Sequence, residues 1–124
     1  MNISIKEKKI GLNHKPFIIA EMSGNHNKSL ERGLEIVEAA GTGAHALKIQ
    51  TYTADTITLD IKTDEFFIED KNSLWKGKSL YELYEEAYTP WEWHEPIMKH
   101  ANELGMVCFS TPFDDTAVDY LEDL

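Results

Sequence analysis

The chain has 124 residues and a formal net charge of −10, from 12 basic and 22 acidic side chains. This balance excludes nucleic-acid binding that depends on neutralising phosphates, because such binding needs an excess of lysine and arginine. Hydrophobic residues make up 42% and charged residues 27%, which is typical of a globular domain. The length, residues 1–124, is enough for one ordinary domain.

The sequence also predicts a location in the cytoplasm. The first nine residues alternate apolar and charged side chains and lack the apolar core of a secretory signal. No segment of the sequence approaches the ~18 apolar residues that suggest a membrane span. Cys108 is the single cysteine, so no internal disulfide can form, and its apolar neighbours predict a small buried residue.

The N-terminal part predicts a hairpin followed by a buried strand. Residues 3–6 and 8–11 are expected to pair, because both runs place isoleucine among charged residues and residues 11–13 (GLN) predict a turn. The apolar run 16–20 predicts a strand that is buried on both faces. That strand is expected to end at Glu21, which opens a polar loop containing His26. A histidine in such a loop is expected to be exposed or hydrogen-bonded.

A helix and a second strand follow. The helix is predicted over residues 30–40 with Ser29 as its N-cap. The strand spans residues 46–51, and its alternation puts Leu47 and Ile49 on one face and Lys48 and Gln50 on the other. A lysine that faces the inside of a barrel is costly unless an anion pairs with it. The alternative is a lysine on an edge strand that faces water.

A long insertion, residues 52–88, separates the second strand from the third. A short helix over residues 80–87 is predicted to close it, and connections of this length are usually functional or disordered. Thr89, Pro90 and Glu92 predict a capped helix start, and the helix is expected to reach Leu104. Pro96 is expected to perturb it.

Three strand-then-helix units predict an α/β fold with parallel strands and helical crossovers. The third strand is predicted over residues 106–111, and a third helix is predicted to begin near Asp115. Two architectures fit, a doubly wound sheet and a TIM barrel. Because a barrel needs about 250 residues and eight strands, the barrel interpretation makes this chain an incomplete part of one.

Polar residues concentrate where the three strands end, and ligands bind at that edge in both architectures. Glu21 follows the first strand, Lys48 and Gln50 end the second, and Ser110 and Thr111 end the third. Lysine offers a cation to a phosphate or carboxylate, and a glutamate can act as acid, base or electrostatic stabiliser. The two hydroxyls fit a phosphate or, equally, a cap for the next turn.

Aromatic and metal-binding residues give weaker signals. Trp75 lies in the insertion and is a better candidate for a ligand contact than Trp91 and Trp93, which are expected to pack a helix. His94 and His100 are six residues apart on a predicted helix and so face different sides. No pair of histidines or cysteines in the sequence has convincing metal-ligand spacing.

The chain resembles the N-acetylneuraminate (sialic acid) synthase family. The motifs that carry the resemblance are residues 18–27 (IIAEMSGNHN), 46–51 (ALKIQT) and 109–113 (FSTPF). Residues 73–77 (SLWKG) and 88–94 (YTPWEWH) resemble the pseudaminic acid synthase branch of that family. The resemblance runs from about Pro16 to the end of the chain.

The resemblance implies a fold and a reaction. The fold is the first three β/α units of a TIM (β/α)8 barrel after a short hairpin, without the second half of the barrel and the C-terminal antifreeze-like domain. Family members form homodimers and use Mn²⁺ or Mg²⁺, whose ligands would lie outside this chain. They condense phosphoenolpyruvate with an amino sugar, here 2,4-diacetamido-2,4,6-trideoxy-altrose, to give pseudaminic acid and phosphate. The chain alone is expected to be inactive.

The resemblance also assigns residues by position. Glu21 matches the catalytic glutamate, and Lys48, Ser110 and Thr111 match phosphoenolpyruvate-binding positions. The expected sugar-binding residues are Asn25, Gln50, Asn72, Trp75 and Lys76. Two alternatives stay open: an N-acetylneuraminate or legionaminate synthase with the same chemistry, and a non-catalytic α/β module that binds a ligand or partner.

Overall fold

The structure is a computed structural model that describes residues 2–124, so Met1, the first residue of the expected domain, lies outside the described residues. Five strands and five α-helices follow in the order β1, β2, β3, α1, β4, α2, α3, α4, β5, α5. Their bounds are β1 Ile3–Ile5, β2 Lys8–Ile10, β3 Ile19–Glu21, α1 Leu30–Gly41, β4 Ala46–Thr51, α2 Ala54–Ile57, α3 Leu80–Ala87, α4 His94–Glu103, β5 Val107–Pro112 and α5 Asp115–Glu122. Within this range, no helix is both long and apolar enough to cross a membrane.

Strands β3, β4 and β5 form a parallel sheet in that order, with β4 in the centre. The predicted α/β fold with parallel strands is therefore confirmed. The predicted hairpin is also confirmed, because β1 and β2 pair antiparallel with Ile3 opposite Ile10. The first parallel strand begins at Ile19 and not at Pro16. Its partner β4 begins only at Ala46, so the residues before Ile18 have no neighbouring strand with which to pair.

The core lies on one face of the sheet. Leu47 and Ile49 of β4 are fully buried and pack with Val37 of α1 and with Ile97 and Ala101 of α4. Full burial of a large aliphatic side chain contributes roughly 1.5–3 kcal/mol to folding. The alternation of β4 therefore fixes which face of the sheet the helices cover, and the side chains of Lys48 and Gln50 point to the other face.

The side chains on that other face are partly open to solvent. Ile19 of β3 is 46% exposed and Phe109 of β5 is 37% exposed, and Lys48 lies between their strands. Cys108 points the opposite way and packs against the core, where burial raises the pKa of its thiol to about 11. The prediction of a core cysteine agrees with this position.

The insertion between β4 and β5 is partly helical. Helices α2 and α3 contact each other, a single 3₁₀ turn spans Asp64–Phe66, and Phe67 forms an isolated bridge with Ser79. Helix α3 has the predicted bounds. Ser79 accepts a hydrogen bond from the Glu82 amide, and Glu82 accepts one from the Ser79 amide, which is a capping box.

The predicted start of the next helix was wrong. Trp91–Trp93 form a 3₁₀ turn, α4 begins only at His94, and Thr89 does not cap it. The Thr89 hydroxyl is instead hydrogen-bonded to His26, 3.1 Å away. Pro96 is the third residue of α4, in the first turn, where backbone N–H groups have no helical partner. It therefore does not perturb the helix as expected.

Two histidines are fully buried on the helical side of the sheet. The Lys28 amide donates to Nδ1 of His26, so the neutral ring carries its proton on Nε2 and donates to Thr89. Nε2 of His94 is 2.7 Å from the Thr51 hydroxyl at the end of β4. The prediction that His26 is exposed was wrong, whereas the hydrogen-bonded alternative is confirmed.

Burial lowers the pKa of both histidines below 6.5, and the charge of Lys28 lowers that of His26 further. The unfolded chain therefore binds more protons below pH 6.5 than the folded chain does. We expect the free energy of unfolding to be constant above pH 6.5 with respect to these groups. It should fall as the pH drops below 6.5, by up to ~1.4 kcal/mol per pH unit for each histidine.

Urea unfolding between pH 5 and 8 measures this dependence. His94→Asn should flatten the slope by about half, because it removes one of the two buried imidazoles. An unfolding free energy that does not change between pH 6.5 and 5 in the unaltered chain would contradict the assignment.

Candidate functional site

An ion pair marks the carboxyl ends of β3 and β4. Glu21 lies opposite Lys48 in the parallel register, and the Lys48 ammonium is 3.2 Å from a Glu21 carboxylate oxygen. The side chains are 30% exposed for Lys48 and 46% for Glu21. An ion pair this open contributes only about 0–1 kcal/mol to stability, so an incoming anion can compete for the ammonium at little cost. Since β4 is the central strand, the edge-strand alternative for Lys48 was wrong.

Two further polar residues lie one pleat beyond the ion pair. Gln50 follows Lys48 on the same face of β4, and Thr111 of β5 lies opposite Gln50. The Ser23 hydroxyl is 3.3 Å from the side-chain oxygen Oε1 of Gln50 and donates a hydrogen bond to it, which orients the Gln50 side-chain amide. The structure therefore brings together four predicted residues, Glu21, Lys48, Gln50 and Thr111, which we call the strand-end cluster.

Ser110 does not belong to this cluster. It lies opposite Ile49 in the register, on the side of the sheet that faces the helices. Its hydroxyl is 2.6 Å from that of Thr51, which also bonds His94. The alternation of β5 separates the Ser110 and Thr111 side chains, because neighbouring residues of a strand point to opposite faces.

A cleft of about 380 Å³ opens beside Gln50, between the loop after β3 and the insertion. Its polar lining consists of Ser23, Asn25 and Gln50. Its apolar lining consists of Ile57, Leu83 and Ala87. Four aromatic residues, Tyr52, Trp75, Tyr84 and Phe113, also border it. The volume and the mixed lining are those of a small-molecule site.

Three of these aromatic residues form a cluster that the sequence did not indicate. The Tyr52 ring meets those of Tyr84 and Phe113 edge to face, with centroids 5.6 and 5.3 Å away. Burial raises the pKa of Tyr52 to about 12, so its hydroxyl stays neutral at physiological pH. The sequence feature that could have indicated this cluster is the position of Tyr52 and Phe113, each directly after the end of a strand that carries polar residues.

The predicted sugar-binding residues divide into two groups. Asn25 and Trp75 line the cleft with Gln50, and the Asn25 side-chain amide donates to the Met22 carbonyl at 2.9 Å. Asn72 and Lys76 are exposed and do not line it. Both belong to the insertion, whose path a sequence pattern cannot fix.

The loop after β3 is held tightly against the end of α3. A Cβ atom at Gly24 would lie 2.7 Å from the Ala87 carbonyl oxygen, closer than van der Waals contact allows. Lys28 lies over the Tyr88 ring, 4.0 Å from its centroid. Ser23 and Lys28 have positive φ angles, 49° and 56°, which non-glycine residues rarely adopt. We call these contacts between the loop and the α3 end the loop clasp.

A divalent metal does not fit the described residues by themselves. Among residues 2–124, no group of three His, Cys, Asp or Glu side chains is arranged to hold a metal ion. Glu21 is the single carboxylate of the strand-end cluster, and it already pairs with Lys48. We therefore derive no chemical step through a metal from these residues.

Comparison with known proteins gives a family match and several relatives. The model of the NeuB family matches residues 35–124. Pseudaminic acid synthase of Campylobacter jejuni subsp. jejuni serotype O:2 is 50% identical over 109 residues, 87% of this chain and 31% of that protein. Pseudaminic acid synthase of Helicobacter pylori is 43% identical over 110 residues, 88% of this chain and 32% of that protein.

A solved structure is similar over nearly the whole chain. It is the crystal structure of N-acetylneuraminic acid (sialic acid) synthetase from Leptospira borgpetersenii serovar Hardjo-bovis in complex with citrate. The TM-score is 0.73 at 26% sequence identity, and the match covers 99% of this chain and 38% of that one. The chain thus spans about a third of the length of the curated relatives that it matches.

Because of the loop clasp, we expect alanine substitution to destabilise the fold at Gly24 but not at Gly43. Gly24→Ala should lower the free energy of unfolding by ~1–3 kcal/mol, because the added methyl meets the backbone of Ala87. Gly43→Ala should change it by less than about 0.5 kcal/mol, because nothing lies within 4 Å of the new methyl. Thermal and urea unfolding followed by circular dichroism measure both. Equal effects of the two substitutions would show that the clasp is not tight.

Proposed function

This chain belongs to the NeuB family, and we propose on that premise that it supplies part of the active site of a nonulosonic acid synthase. The reaction is the condensation of phosphoenolpyruvate with an amino sugar. The single observation that carries the proposal is the Glu21–Lys48 ion pair beside the cleft, at the carboxyl ends of parallel strands. We propose 2,4-diacetamido-2,4,6-trideoxy-altrose as the sugar and pseudaminic acid as the product, since relatives at 50% and 43% identity are pseudaminic acid synthases.

Lys48 is suited to hold the anionic substrate. Its ammonium points to the open face of the sheet, and its one carboxylate neighbour is a solvent-accessible partner that an arriving phosphate can replace. The Thr111 hydroxyl, one pleat further on β5, offers a hydrogen bond to the same anion. We do not include Ser110 in this proposal, because its hydroxyl is bonded to Thr51 on the other side of the sheet.

Glu21 is suited to the carbon that becomes electron-poor. When C3 of phosphoenolpyruvate attacks the sugar aldehyde, a C–C bond forms, the C=O π bond breaks, the former aldehyde oxygen takes up a proton and positive charge develops at C2. Water adds to C2 and loses a proton, and cleavage of the bond between C2 and the phosphate oxygen then leaves a ketone and releases phosphate. A carboxylate 3.2 Å from the ammonium that holds the phosphate lies close enough to stabilise that charge or to accept a proton from water.

The cleft is suited to the sugar. Gln50 connects the strand-end cluster to the cleft, because it lies on the same face of β4 as Lys48 and also lines the cleft. An open-chain sugar seated there would place its aldehyde end towards Lys48 and the rest of its carbon chain towards α3. Asn25 and Trp75 complete the proposed contacts.

Further parts of the proposal concern the longer protein. We propose that β3, β4 and β5 are the first three strands of a TIM barrel, and that Mn²⁺ or Mg²⁺ is held by residues outside 2–124. The homodimer and the cytoplasmic location stay predictions. We also propose that the 124-residue chain alone is inactive.

A chimera tests the proposed function. The chain replaces the region that it matches in the Campylobacter jejuni relative, and phosphate release from phosphoenolpyruvate is measured with Mn²⁺ or Mg²⁺. We expect release only when an amino sugar is present, and faster release with the trideoxy sugar than with N-acetylmannosamine. The isolated chain should release none. A chimera that folds but shows no sugar-dependent release would overturn the proposal, and a preference for N-acetylmannosamine would replace the proposed sugar.

Within the active chimera, Lys48→Met should raise KM for phosphoenolpyruvate about 10- to 100-fold and leave KM for the sugar nearly unchanged. The reason is that a charge-assisted hydrogen bond to a substrate contributes ~1.5–3 kcal/mol. Lys99→Met, at an exposed position of α4, is the matched control and should change neither constant. Wild-type KM values in both variants would show that Lys48 does not bind phosphoenolpyruvate.

A further inference from the structure

We infer, resting on the proposed function, that the apolar wall of the cleft selects the amino sugar by binding its methyl groups. The wall consists of Ile57 of α2 with Leu83 and Ala87 of α3. The ligand class is a deoxy or N-acylated sugar, in which methyl groups stand where ordinary hexoses carry hydroxyls. Leu83 is the proposed specificity-determining residue.

The cleft has two chemically different sides. Ser23, Asn25 and Gln50 offer hydroxyl and amide groups on one side, whereas the wall offers only hydrocarbon. A sugar with hydroxyls on every carbon would leave some of them against the wall, where they lose hydrogen bonds to water and gain none. A sugar with one polar edge and one methyl-bearing edge matches both sides.

The position of the strand-end cluster decides which end of the sugar meets the wall. The reacting aldehyde carbon must approach Glu21 and Lys48, which lie on the strand side of Gln50. The wall belongs to α2 and α3 of the insertion, which leaves β4 at its carboxyl end, beyond Gln50. The substituents that reach the wall are therefore those remote from the reacting carbon C1, which are the deoxy carbon C6 and the acyl group on C4.

The wall is also held in place. The capping box of Ser79 and Glu82 fixes the start of α3, and the contact between Gly24 and Ala87 fixes its end. Leu83 lies between these two anchors. A side chain on an anchored helix can discriminate between substrates, because it does not move aside to admit a hydroxyl.

Leu83→Gln in the active chimera tests the inference, because glutamine keeps the length and helix propensity of leucine but is polar. Leu80→Gln, on the same helix but outside the lining, is the matched control. The sugars are the trideoxy diacetamido sugar, its 6-hydroxy analogue and its N-formyl analogue, in which the acetyl group on the C4 nitrogen is replaced by formyl. We expect Leu83→Gln to raise KM for the trideoxy sugar about 10-fold, and KM for phosphoenolpyruvate to stay constant.

The analogues distinguish the two sources of methyl groups. The measured quantity is the ratio of kcat/KM for the trideoxy sugar to kcat/KM for each analogue. If this ratio for the 6-hydroxy analogue falls about 10-fold in Leu83→Gln, the wall binds the methyl group of the deoxy carbon. If the ratio for the N-formyl analogue falls instead, the wall binds an acetamido methyl group. Ile57→Thr, which preserves β-branching, should give a smaller change in the same direction and serves if Leu83→Gln does not fold.

Two failures are separable. An unaltered chimera that folds without sugar-dependent phosphate release overturns the proposed function, and the inference with it. An active chimera in which Leu83→Gln and Leu80→Gln have equal effects, or in which neither preference narrows in Leu83→Gln or Ile57→Thr, overturns the inference alone.

Discussion

The alternation of side chains along the central strand β4 is the constraint on which the rest of the structure depends. Leu47 and Ile49 must face the helices, because their burial with Val37 and Ile97 forms the core. Lys48 and Gln50 must then face the opposite side, because successive side chains of a strand alternate between its two faces. The ion pair with Glu21 follows from the same constraint, since the parallel register sets Glu21 beside Lys48. The core and the candidate site are thus two consequences of one pattern.

The loop after β3 links this sheet to the insertion. Its conformation includes positive φ angles at Ser23 and Lys28, which are sparsely populated for non-glycine residues and persist only when their surroundings hold them. The surroundings here are the hydrogen bond between buried His26 and Thr89 and the contact of Gly24 with Ala87. Because the same loop borders the cleft, the buried histidine contributes to the shape of the site without touching it.

The acidic balance of the chain does not conflict with an anionic substrate. Exposed charges act over about 8–10 Å in physiological salt, so distant carboxylates have little effect on Lys48. The relevant neighbourhood is local: one ammonium, one partly exposed carboxylate and, one pleat away, a hydroxyl and an amide. The family match and the relatives at 50% and 43% identity confirm the resemblance that the strand-end motifs indicated.

The sequence by itself determined the order of the strands and of every helix except α2, the face to which Lys48 points, and the family. These are local or periodic properties, and the face of Lys48, for example, follows from the alternation within residues 46–51. Only the tertiary structure decided that Thr89 bonds His26 instead of capping α4, and that the Ser110 hydroxyl bonds Thr51. It also decided that Asn72 and Lys76 lie outside a cleft that Tyr52, Leu83 and Phe113 line. The physical reason is that hydrogen-bond partners such as these lie 27 to 63 residues apart in the sequence. Tertiary packing brings them together, and residue spacing along the chain does not predict such pairs.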